Sequence, residues 1–76
     1  MNNKRRDILK LAISYLEKAS DLVSKALDEE QDCLDNLPEN LQDSERYQKM
    51  ESAIEKLEDV AEQIDSAKES IEEASE

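Results

Sequence analysis

The chain has no histidine, no glycine, no tryptophan and no phenylalanine. The first two absences each remove a class of function. Without histidine there is no Ser-His or Cys-His nucleophile pair, and most zinc sites are lost. The Glu-x-x-His sets of carboxylate-bridged metal bundles cannot form either. Without glycine there is no phosphate-cradling loop. Asp28, Glu30 and Asp32 have the alternate spacing that opens a calcium loop, but Cys33 stands where that loop needs its glycine. No catalytic, cofactor-binding or metal-ligating residue is assigned, and the sequence predicts a protein that is not an enzyme. The two aromatics, Tyr15 and Tyr47, read as core or boundary residues rather than ligands. Cys33 is alone. It excludes an internal disulfide and reads as a small buried side chain. With no apolar run and no leader, the chain is predicted to be cytoplasmic.

Proline is the remaining scarcity. Pro38 is the only one. Inside a helix it would remove a backbone hydrogen bond and clash with the preceding turn, at roughly 3 kcal/mol. It also moves Leu37 out of helical geometry. On both sides lie long segments of helix-forming residues. One break and two helices follow: a helix over about residues 4–35, a turn over about 36–43, and a helix over about 44–74.

What is present is charge. Charged residues make up 41% of 76 residues, and the net charge is −11. Periodic Leu, Ile and Ala between the charges mark long helices or coiled coils rather than disorder. The acidic balance excludes direct binding to nucleic acid or an anionic membrane, which need a basic face, and favours basic protein surfaces.

In the first helix Leu9, Ile13, Leu16, Ser20, Val23, Leu27, Glu30 and Leu34 alternate spacings of four and three. Ile8, Ala12, Tyr15, Ala19, Leu22, Ala26, Glu29 and Cys33 repeat the rhythm one residue earlier. In the second helix Tyr47, Met50, Ile54, Leu57, Ala61, Ile64, Lys68 and Ile71 form one seam, beside a file of Ala53, Val60, Ala67 and Ala74. The predicted core is Leu9, Ile13, Leu16, Val23 and Leu27 against Met50, Ile54, Leu57, Ile64 and Ile71. The fold class is all-α, an antiparallel helical hairpin. Its two broad faces predict a homodimer closing into a four-helix bundle.

The ends carry opposite charge. Lys4, Arg5 and Arg6 open the chain, and Glu69, Glu72, Glu73 and Glu76 close it. Each cluster opposes its own helix dipole, and an antiparallel fold lets them neutralise each other. At the break, Asn36 reads as an N-cap with Glu39 three residues on. Pro38 to Gln42 then forms a short turn that folds Leu37 and Leu41 onto the bundle end. Asp43 or Ser44 caps the second helix.

The stretch Leu34-Asp35-Asn36-Leu37-Pro38-Glu39-Asn40-Leu41-Gln42, with Ser44-Glu45-Arg46 and Lys49-Met50-Glu51, resembles a family of short acidic proteins encoded by phages and prophages of Gram-positive bacteria. The likeness extends weakly to Asn3-Lys4-Arg5-Arg6 and to the acidic repeats of the second helix. The family usually has an aromatic at Leu34, a serine at Asn40 and a glycine at Tyr47. The family is largely uncharacterised, so the resemblance implies a phage context, in a bacterial host cytoplasm, and no activity.

From Asp28 to Glu45 every charged residue is acidic: Asp28, Glu29, Glu30, Asp32, Asp35, Glu39, Asp43 and Glu45. This asymmetry predicts a partner-binding surface of Asp28, Glu29, Glu30, Asp32 and Asp35, with Leu37, Leu41 and Tyr47 as apolar anchors. The functional expectation is an inhibitor or sequestering protein that imitates nucleic-acid charge on a basic host protein. A structural coiled-coil dimer, or an accessory subunit, is the alternative.

Overall fold

The computed structural model describes residues 1–41 and 44–76. The readings that involve Gln42 and Asp43 lie outside these residues. The first helix, α1, spans Asn3–Asp35, and the second, α2, spans Glu45–Ala74. Between them a 3₁₀ turn covers Glu39–Leu41. The helices pack against each other as an antiparallel hairpin 59 Å long and 15 by 12 Å across.

Each boundary has a hydrogen-bonding cause. Asn2 caps α1, its side-chain oxygen accepting from the Arg5 N–H at 2.9 Å. Ser44 caps α2 in the same way, accepting from the Tyr47 N–H at 3.2 Å. Each cap satisfies one of the four N–H groups that a helix start leaves without partners.

Asn36 does not start the short turn, as the sequence suggested; it ends α1. Its amide Nδ2 donates to the Asp32 carbonyl at 2.8 Å, and its backbone N–H donates to the same oxygen at 3.1 Å. The physical reason is that the last carbonyls of α1 need donors, and no glycine is available to close the helix in left-handed geometry. Pro38 stands just before the 3₁₀ turn, and its carbonyl accepts from the Leu41 N–H at 2.9 Å. The ring blocks helical continuation while the oxygen still starts the next turn.

The core is thin. Among the described residues only Met50 and Ile54 are buried, and both belong to the first half of α2. Leu9, Ile13, Leu16, Val23 and Leu27 of α1 are half-buried, as are Leu57, Ile64 and Ile71 of α2. The first α1 seam therefore faces α2 as the periodicity predicts. Two helices alone bury one stripe each and leave its edges wet.

The second α1 seam divides. Ala12 and Ala19, nearer α2, are half-buried, whereas Ile8, Tyr15, Leu22, Ala26 and Cys33 are exposed. Cys33 is thus not a buried small residue but an exposed free thiol. Tyr15 is likewise neither core nor boundary, at 61% exposure. One neighbouring helix reaches only one flank of so broad a face.

The charged ends meet, though not as paired side chains. Arg6 donates from Nε to the Ser75 carbonyl at 3.0 Å and from Nη2 to the Glu76 carbonyl at 3.5 Å. Among the described residues, Glu69, Glu72, Glu73 and Glu76 form no side-chain ion pair with Lys4, Arg5 or Arg6. The guanidinium goes to the carbonyls because these are the orphan acceptors at the negative pole of α2. Among the described residues, no helix is long and apolar enough to cross a membrane.

Candidate interaction surface

Two surfaces remain after the helices have packed. The first is the acidic fold-back end. Asp28, Glu29, Asp32 and Asp35 are exposed on α1, and Glu30 is half-buried. Five carboxylates fall in the eight residues from Asp28 to Asp35. Eight residues span about 12 Å of helix, so the spacing is about one charge per 2.4 Å of axis. Gln31 donates to Asp35 Oδ1 at 3.0 Å and orients that carboxylate. Exposed Glu39 and Glu45 continue the acidic surface into the turn and α2.

The apolar anchors expected here are unequal. Leu37 and Tyr47 are half-buried, and Leu41 is 38% exposed. Leu37 is thus folded in, whereas Leu41 keeps over a third of its surface in water. Cations reappear at the start of α2, where Lys49 pairs with Glu45 at 3.3 Å. A shallow open hollow there is lined by Glu30, Glu45, Arg46, Lys49 and Met50. The field of one sign is therefore strongest along α1. Among the described residues no group of three or more carboxylates, thiols or imidazoles converges to hold a metal ion. The acidic run is a spread of charge rather than a cage.

The second surface is apolar and lies on the side of α1 turned away from α2. Ile8, Leu11, Tyr15 and Leu22 are 57%, 55%, 61% and 68% exposed. Their spacings of three, four and seven place them on one stripe. Lys18 falls in the same rhythm, and its Nζ stands 5.8 Å from the centre of the Tyr15 ring, within cation–π reach. Among the described residues α2 has no large exposed apolar side chain. All the spare apolar surface of the hairpin body thus sits on α1.

Leu11 belongs to neither seam read from the sequence. Its spacing from Ile8 and Tyr15 is the signal that identifies it. Near the start of this stripe an open hollow is lined by Met1, Arg5, Ile8 and Leu9.

No protein-family model, curated protein or solved structure matches the chain.

Proposed function

We propose that the chain is a non-enzymatic protein-binding module whose acidic fold-back end docks on a basic surface of another protein. The supporting observation is the run of exposed carboxylates on α1, with no cation between Lys25 and Arg46. Its density of about one charge per 2.4 Å compares with about 1.7 Å for duplex DNA. A basic groove that takes nucleic acid therefore meets a similar linear charge on a stiff rod. The charge steers the encounter, and Leu41 with the exposed edge of Tyr47 supplies the desolvated contact. A phage-encoded protein that sequesters a host defence or DNA-handling enzyme in the cytoplasm is the setting this chemistry suits.

The second reading, a structural coiled-coil piece, is favoured by the apolar stripe on α1. The two readings share one feature. The chain works as a pair of hairpins, because Ile8, Leu11, Tyr15 and Leu22 otherwise stand in water.

The test compares the protein with a variant carrying Asp28→Asn, Glu29→Gln, Glu30→Gln and Asp32→Asn. Both are used at low salt to capture proteins from a Gram-positive lysate and to inhibit any captured nucleic-acid enzyme. Capture and inhibition should be lost in the variant and should fall steeply with added salt for the parent. Equal inhibition by the two proteins would exclude the charge-mimic reading.

A further inference from the structure

We infer that two copies join through α1, antiparallel, about a twofold axis beside Glu17. This inference rests on the pairing proposed above and supplies its geometry.

The charge of α1 is polarised along its length. Residues 1–25 carry six cations and three carboxylates, whereas residues 26–35 carry five carboxylates and no cation. A parallel partner sets like charge on like. An antiparallel partner in the register given below lays the basic start, residues 4–6, beside the partner's acidic residues 28–30.

The apolar stripe selects the register. With the axis beside Glu17, exposed Ile8 faces the partner's Ala26, Tyr15 faces the partner's Ala19, and Leu22 faces the partner's Ala12. Each layer sets one large side chain against one small one, which lets the helices approach closely and interdigitate. At the ends of the contact Arg5 faces the partner's Glu29, and Met1 faces the partner's Cys33. Arg5, Glu29 and Cys33 are all exposed in the single hairpin. A shift of one heptad in one direction puts Leu22 on the partner's Arg5; in the other it puts Ala12 on the partner's Glu29. Either shift buries a charge against an apolar side chain, which is costly without a partner.

Lys18 lies on the rim near the axis and meets its own copy there. It is exposed, so the repulsion is weak and screened. Because the contact is isologous it closes on itself and does not propagate. Asp28 and Asp35 point away from the contact and stay open to the basic partner. The pair thus carries two acidic ends facing in opposite directions.

The experiment uses Lys18→Cys in a Cys33→Ser background, treated with a short bis-maleimide, beside the parent protein with its single Cys33. Sedimentation equilibrium should give twice the chain mass for both. The Lys18→Cys variant should cross-link to a covalent dimer. The parent should not, since the two Cys33 thiols of one pair are roughly 45 Å apart along the axis. Tyr15→Glu with Leu22→Glu should give a monomer of unchanged helicity. A parent that sediments as a monomer at tens of micromolar overturns the pairing itself and leaves the stripe to a foreign helix. A parent dimer that cross-links through Cys33, or a Lys18→Cys dimer that does not cross-link, overturns the antiparallel register while the pairing stands. Neither result bears on capture through Asp28 and Asp35, which lie outside the contact.

Discussion

Arg6 spans the open end of the hairpin to Ser75, its Nε donating to the Ser75 carbonyl oxygen at 3.0 Å. Residues at opposite ends of the chain are thereby joined by a hydrogen bond. Arg6→Ala should lower unfolding stability by about 1 kcal/mol, the net worth of one such bond. Arg6→Lys should recover part of this, since a point charge serves one carbonyl but not two at a fixed angle. Urea titration checks this: the midpoint should fall and the slope should stay the same.

Ser44→Ala should cost about 1 kcal/mol, because the Tyr47 N–H loses its acceptor at the start of α2. Ser44→Asp should be close to neutral, as it keeps an acceptor and adds a negative charge at the positive helix end. Thermal melts followed by circular dichroism report both. A Ser44→Ala melt that coincides with the parent would show that the cap contributes nothing.

Met50→Ala and Ile54→Ala remove the two buried side chains, and each should cost about 2–4 kcal/mol. In so small a protein either change brings the unfolded state within reach. Leu22→Ser, on the outer stripe, should leave the dilute hairpin unchanged. At high concentration it should lower the melting temperature relative to the parent, because there the proposed pair would contribute. Melts at two concentrations distinguish a fold defect from an assembly defect.

Salt should stabilise the dilute chain. Its net charge is −11, and its ion pairs among the described residues are exposed Lys49–Glu45 and the loose Lys68–Glu17 contact at 4.0 Å. Screening shortens the Debye length from about 30 Å at 0.01 M to about 3 Å at 1 M. Diffuse repulsion then weakens more than these surface pairs are worth. A melting temperature that falls with sodium chloride would reverse that ranking.

Pro38→Ala should leave the hairpin standing, with a change below about 1 kcal/mol that arises from the greater freedom of the unfolded chain. Asn36 and Ser44 still end and restart the helices. Helicity and sedimentation together check this, because one continuous rod would sediment more slowly.

The two helices and the first seam were legible in the sequence because the spacing of Leu9, Ile13, Leu16, Val23 and Leu27 leaves one face that a single neighbour can cover. The exposure of Cys33 was not legible. Its file lies beside the first seam, and spacing alone does not tell which flank α2 leaves uncovered. Asn36 suits either end of a helix, so its role depends on where the neighbouring carbonyls fall. The Arg6 bond to Ser75 requires the relative register of α1 and α2, which periodicity leaves free within a few residues. Leu11 was not legible because the heptad file of Ala12, Ala19 and Ala26 carries the stronger rhythm beside the first seam. The acidic run was legible as charge but not as a docking geometry, because charge alone names no shape.

Among the described residues no backbone position has positive φ and no peptide bond is cis. The described part of the corner, up to Leu41 and from Ser44, is therefore built from conformations open to every L-amino acid. Its chemistry resides in a few hydrogen-bonding side chains, and its stereochemistry demands no specialist residue. Such a corner can drift, be lengthened, or receive a grafted recognition loop by replacement of Glu39 to Leu41, while the rods on either side keep their alignment.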